Sequence, residues 1–143
     1  MEKIIDEQLK KEFGFDLYGR YAIIRDIIEK NRSNGEIFRV LDVGGRGNFM
    51  KKFLPNDDVY YLDPFVESDD KNFIKGDGCA MPLDDLSFDW VTSADVFEHI
   101  QKEKRENFLK IISLALCKVF NKLRFWQSIC NMLFQPNMIL APT

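Results

Sequence analysis

The stretch VLDVGGRGNF (40–49) brings an acid, Asp42, a cation, Arg46, and three glycines, Gly44, Gly45 and Gly47, close together. Residues without a Cβ let a turn carry backbone N–H groups against a ligand. Two more acids follow at spaced intervals, Asp63 in YYLDPF and Asp77 in the triplet GDG at 76–78. A carboxylate placed like Asp63 can accept hydrogen bonds from both hydroxyls of a ribose. Asp77 can accept from an exocyclic amine of adenine, while Gly78 lets a backbone N–H approach a ring nitrogen. Together these residues describe a nucleoside pocket, and none of them grips a pyrophosphate or a triphosphate. Each also has a plain structural reading. The glycines can form a simple turn, Asp63 can open the turn DPF, Asp77 can be a bare turn residue, and Asp42 can hold the backbone of its own loop. A dinucleotide fingerprint, G-x-G-x-x-G, fails in either frame: started at Gly45 it meets Met50 at its third glycine, and started at Gly44 it meets Arg46.

Strands and helices must bring these positions to one place. IFRVLDV (37–43), VYYLD (59–63), NFIKGD (72–77) and FDWVTSA (88–94) read as strands, the first as a short buried one. Met1–Lys11 reads as a polar helix or a frayed end, interrupted by FGFD (13–16). Asp16 then caps a helix over Leu17–Asn31 with Tyr21, Ile24, Ile27 and Ile28 inward, closed by NRSNG. Asn48 reads as the N-cap of a helix through Phe49, Phe53 and Leu54 that Pro55 ends, and its free N–H groups and dipole would add to the glycine loop. A further helix covers 102–116. Alternating strands and helices predict an α/β fold: a Rossmann-like, mostly parallel sheet with helices on both faces. Ligands of such sheets sit beyond the carboxyl ends of the strands, where strand order reverses. The loops 44–48, 63–66, 77–80 and 94–98 would all emerge at that edge.

At 143 residues and 45% hydrophobic, the chain has material for one core and little room for a second domain. Its net charge of −3 gives no broad footprint for nucleic acid. The charged start, Met1–Lys11, has no apolar stretch of signal-peptide type. Cys79, Cys117 and Cys130 fit neither a disulfide framework nor a zinc site, and His99 is the one histidine. A cytoplasmic, metal-free protein is expected.

VLDVGGRGNF resembles the first motif of the class I S-adenosylmethionine-dependent methyltransferases of type 11, with its D-x-G-x-G core, and YYLDPF resembles their second. GDGCAMPLDDLSFDWVTSADVFEHI (76–100) is similar to the family run G-D-x-x-x-L-P-F-x-D-x-S-F-D-x-V followed by L-E-H, and is the most specific part of a likeness spanning about 37–112. The resemblance implies S-adenosylmethionine as cofactor and S-adenosylhomocysteine as its product. It implies Asp42 and Gly44–Gly47 on the methionine side, Asp63 on the ribose, and Asp77, Gly78 and Cys79 around adenine. Asp95 would face the methionine portion or the acceptor. Arg46 stands where the family usually has glycine. At the lip of a pocket it can pair with the cofactor's carboxylate, or it can be solvated.

Displacement at a sulfonium needs in-line positioning and sometimes a base, and no metal. His99 is the candidate base, with Glu98 and Asp95 behind it. SADVFEH lacks the N-P-P-Y type of signature that goes with methylation of a planar amine, so oxygen, carbon and sulfur acceptors stay open and the acceptor is unassigned.

All 23 acidic residues lie at or before Glu106. The chain therefore divides into N-terminal helices (1–35), a cofactor-binding core (36–106) and an atypical apolar tail (107–143), within a single domain. In the tail, Phe108, Ile111, Ile112, Ala115, Leu116 and Val119 suit a helix on the sheet, Phe120–Phe134 a second helix and NMILAP (137–142) a fifth strand. The last strands of the full methyltransferase fold have no counterpart. Such a tail can cover the sheet edge, form a homodimer, or leave a weak binder without turnover; a membrane-surface role is a fourth option, and Lys118, Lys122 and Arg124 argue against a spanning helix. The leading expectation is a methyltransferase acting on an unknown small or macromolecular acceptor. The alternative is a non-catalytic cofactor-binding or interaction module of the same fold, with the tail as partner surface. A nicotinamide oxidoreductase ranks third.

Overall fold

The computed structural model describes residues 2–81 and 87–115. Four strands, β1 (Arg39–Val43), β2 (Asp58–Asp63), β3 (Phe73–Lys75) and β4 (Trp90–Thr92), form a sheet in the order β3-β2-β1-β4. Every pairing is parallel: Val43 lies opposite Leu62, Leu62 opposite Ile74, and Leu41 opposite Val91. The chain steps outward from β1 to β3 and then returns to the other side of β1. Strand order therefore reverses between β1 and β4, where a Rossmann-like sheet opens its ligand crevice.

The period-two pleat of β1 divides the core between two faces. Val40 packs with Ile28, Met50, Phe53 and Val59 under α1 (Glu2–Lys30) and α2 (Met50–Phe53), while Leu41 and Val43 pack with Leu62, Phe88, Phe108 and Ile112 under α3 (Arg105–Ala115). The central strand is buried on both sides, as its unbroken apolar run predicts. The fold class thus agrees with the sequence reading; β1, β3 and β4 are shorter than read, and β2 begins one residue earlier. Segments 82–86 and 116–143 lie outside the described residues, and with them Cys117, Cys130 and the expectations of a second tail helix and a fifth strand.

Two local expectations need correction. The helix interruption at FGFD is a kink: Gly14 takes φ 71° and ψ 170° inside α1. An Arg25–Asp6 pair at 2.6 Å joins the two halves across it. A straight helix would hold those residues far apart, so the segments fold back on each other. Ile27, expected inward, is half exposed, whereas Tyr21 and Ile28 are buried. The second correction concerns Asn48. It sits at φ 51° with its amide nitrogen 3.4 Å from Asp70, and Phe49 takes the cap position with no side-chain cap bond. Phe49 is drawn into a ring cluster with Phe13 and Tyr21, and α2 spans only Met50–Phe53, a single turn. That length supports no helix dipole at the glycine loop.

Candidate functional site

Gly44 follows β1 and starts the loop. Its N–H continues the β1–β2 ladder to the Leu62 carbonyl at 2.7 Å, and its φ is 81°. A Cβ there would stand 2.1 Å from Val96 Cγ2, so β1 and the segment after β4 approach closely only over a bare residue. Under the loop lies Asp42, fully buried. Its Oδ2 accepts from Tyr21 Oη at 3.0 Å and its Oδ1 from Thr92 Oγ1 at 3.1 Å. Burial pushes the Asp42 carboxyl up to about 7, opposed by those two bonds. Gly45 closes over the same carboxylate, since a Cβ on it would lie 2.5 Å from Oδ2.

Asp63 ends β2 and is also buried. Its Oδ1 accepts from the N–H groups of Phe65 (2.7 Å) and Val66 (3.1 Å), which folds the DPF turn and leaves the Phe65 ring 85% exposed. Among the described residues no bond reaches Asp63 Oδ2. The GDG turn is seated on α3. A Cβ on Gly78 would lie 2.7 Å from Phe108 and 3.0 Å from Val43, and Asn107 Nδ2 donates to the Cys79 carbonyl at 2.8 Å. Asp77 Oδ1 accepts from Cys79 N at 2.8 Å, and burial followed by the Asp77 charge raises the Cys79 thiol. Past β4, Asp95 pairs with Arg20 of α1. Hydrogen bonding with the Glu98 side chain, then with Arg20, holds the Asp95 carboxyl below the usual carboxylate range. Asp95, Glu98 and His99 are all exposed, with ligand-type atoms within 4.8 Å of one another.

These strand ends enclose a cleft of about 420 Å³, within the range of small-molecule sites. Gly44, Arg46, Asp77, Gly78, Cys79, Asp95 and His99 line it, along with Pro64, Phe65 and Lys104. A smaller chamber of about 240 Å³ opens on the α1 side, between Leu17, Tyr21, Phe49 and Ala94. The two share Val43, Gly44, Arg46, Asp95 and His99, so the glycine loop stands at their junction. Asp42, Gly45, Gly47 and Asp63 line neither space. Asp42 and Gly45 lie beneath the loop, Gly47 packs against Phe49, and Asp63 sits between the cleft residues Leu62 and Pro64.

Sequence reasoning missed Tyr21 and Arg20. Tyr21 was read only as part of an apolar stripe, although a tyrosine on a buried face carries a hydroxyl that needs a partner. Phe65 and Lys104 gave no local signal. Among the described residues no helix is long and apolar enough to cross a membrane.

A family model described as "Methyltransferase domain" matches residues 41–118. No curated protein matches the chain. Among solved structures, the chain is similar to one from the complex between the Haloferax volcanii Trm112 methyltransferase activator and a protein assigned as a methyltransferase, with 20% identity and a TM-score of 0.50. The likeness covers 78% of this chain and 51% of that one, so this chain spans about half the length of its solved neighbour. At that identity the likeness is one of fold.

Proposed function

Residues 41–118 make this chain a member of the methyltransferase domain family, and from that premise we propose that it binds S-adenosylmethionine across the carboxyl ends of β1–β4 and transfers its methyl group to an acceptor. The observation that carries the reading is the convergence of four strand-end loops, far apart in sequence, on one cleft at the point where strand order reverses. The donor set fits an adenosyl group. Asp63 has one oxygen without a bond among the described residues, Asp77 and the bare Gly78 stand on the adenine side, and the flat, exposed Phe65 borders the space a base would fill.

When bound, the cofactor supplies an electrophilic methyl on sulfur whose leaving group is already neutral. The residues of this chain then have positioning to do. Asp63 orients the ribose. Asp77, Gly78 and Cys79 border adenine. Arg46, at the junction of cleft and chamber, pairs with the carboxylate of the methionine portion. Asp42 sits below the loop as its counter-charge, and Asp95 lies at the rim toward the acceptor. His99 borders both spaces and is the group best sited to take a proton from an acceptor hydroxyl, carbon acid or thiol. Residues 1–143 are read as one domain: helices to 35, the cofactor core to 106, and the apolar tail. The neighbour's activator supports a protein partner for this chain as well, whereas the homodimer expectation rests on the apolar tail, of which 116–143 lie outside the described residues.

Titration with S-adenosylhomocysteine tests the pocket, and transfer of labelled methyl from S-adenosylmethionine to fractionated cell extract tests turnover. Binding in the micromolar range with labelled product is expected. Binding without transfer to any fraction would favour the non-catalytic module, and absence of heat at millimolar ligand would end the cofactor reading.

A further inference from the structure

Adjacent residues of α1 reach both strand ends that flank the glycine loop. Tyr21 donates to Asp42 at the end of β1, and Arg20 pairs with Asp95 beyond β4. Tyr21 is 4% exposed. Its ring is stacked on Phe53 at 5.5 Å and edge-on to Phe49 at 6.4 Å, and it forms part of the wall of the smaller chamber beside Gly44 and Arg46. The Asp42 oxygen that takes the Tyr21 hydroxyl is the one under Gly45. Oδ2 is thus pinned by α1 on one side and covered by loop backbone on the other. A phenyl ring would satisfy the aromatic cluster equally well, so packing does not explain the hydroxyl. Among the described residues its one hydrogen-bond partner is Asp42.

We propose that Tyr21 is a positioning residue for the methyl-donor site: its hydroxyl fixes Asp42 Oδ2 beneath Gly45, and so sets both the shape of the glycine loop and the negative charge held under the loop, below the donor's α-ammonium group. The proposal rests on the cofactor reading above, and gives the N-terminal helix a part in binding that no residue of the loop can supply. The electrostatics agree with the geometry. Burial disfavours the charged form of Asp42, while Tyr21 from α1 and Thr92 from β4 stabilise it. Among the described residues, no charged side chain shifts Asp42. Tyr21 itself faces Asp95 and Arg20, and burial holds its hydroxyl well above the ordinary tyrosine range, so it keeps its proton and donates a hydrogen bond to Asp42. Arg46 and His99 border the same chamber.

The test is the pH profile of S-adenosylhomocysteine affinity for the full chain, followed by calorimetry from about pH 5 to about pH 9, across the range in which Asp42 titrates. Wild-type affinity should fall as pH drops through about 7, where Asp42 takes up its proton. Tyr21→Phe keeps the ring and removes one donor. Its acid limb should move up by roughly one pH unit and its Kd near neutral pH should rise about tenfold, with the two proteins converging in alkali. 3-Fluorotyrosine at position 21, a stronger donor that preserves the packing, should move the limb the opposite way and decides the matter should Tyr21→Phe not fold. Loss of thermal stability with an unmoved profile would assign Tyr21 a structural role and overturn the proposal alone. Failure of the wild type to bind at any pH would overturn the cofactor reading and this one with it.

Discussion

Replacing Asp42 by Asn should change how stability depends on pH, in a direction opposite to that of most carboxylates. A paired surface acid has its folded-state pKa depressed, and its contribution is lost in acid. Asp42 is buried, and its carboxyl rises from 3.8 to about 7 in the folded chain. Between those values the folded state holds a proton that the unfolded state has released. The contribution of that proton is therefore fully present below about pH 4 and is lost as pH rises through about 7. A shift of roughly three units at about 1.4 kcal/mol per unit makes the swing about 4 kcal/mol, a large share of the stability of a domain this size. Asn keeps the shape and cannot ionise, and the Tyr21 and Thr92 hydroxyls can each donate or accept to suit an amide. Urea midpoints of wild type and Asp42→Asn should thus diverge in favour of the mutant as pH is raised from about 4 to about 7, and run parallel above that. A difference independent of pH, or one that turns toward the wild type as pH rises, would refute the assignment of burial as the dominant influence on Asp42. The same substitution should weaken S-adenosylhomocysteine binding, because it removes the charge under the loop.

Arg46→Ala should raise the dissociation constant for S-adenosylhomocysteine about tenfold by calorimetry, since a charge-assisted contact to a carboxylate is lost; an unchanged constant would leave Arg46 a solvated side chain. Gly44→Ala should cost roughly 2–3 kcal/mol in thermal or urea unfolding, because the new methyl group meets Val96 in a backbone region that L-residues avoid. Adding Val96→Ala should recover only the steric part, and full recovery would mean the positive φ carries no strain. Arg32→Met leaves Asp57, 1% exposed and bonded to Arg32 at 2.5 and 2.8 Å, without its counter-charge, and should cost roughly 3 kcal/mol. Because Asp57 lies at the amino end of β2, ligand affinity should not change; a parallel loss of affinity would show that the two ends of the sheet are coupled.

The sheet was legible because its evidence is local and redundant. RVLDV (39–43) has almost no polar face to hide, β2 ends on an acid, Asp63, and a glycine, Gly76, follows β3. The partners of those acids were not legible. Asp42 lies 21 residues after Tyr21 and 50 before Thr92, and no local pattern links three side chains that meet only when α1 crosses the end of the sheet. Parity offered one clue: Asp42 shares its face of β1 with the buried Val40, so it too had to point into packed interior and find donors there. Asn48 failed for a different reason. Asn favours both the N-cap and the left-handed region, and the choice between them was made by Phe49 seeking the Phe13 ring 5.1 Å away.

At Asp63 the turn reading and the ligand reading are compatible. A carboxylate has two oxygens. In Asp63, Oδ1 takes both turn N–H groups and so fixes the plane of the carboxyl at the lip of β2, while Oδ2 has no bond among the described residues. Turn formation is then what orients the second oxygen, and a ribose would meet an acceptor already held in place. On the proposed reading, the strand-end carboxylate serves the backbone with one oxygen and a ligand with the other. Asn in its place could still fold the turn through one oxygen but would present an amide donor on the other side, where a hydroxyl pair needs an acceptor. Asp63→Asn should therefore leave the melting temperature nearly unchanged and weaken S-adenosylhomocysteine binding about tenfold. A variant that melts early and binds normally would reverse the argument, leaving Asp63 as a turn residue and nothing more.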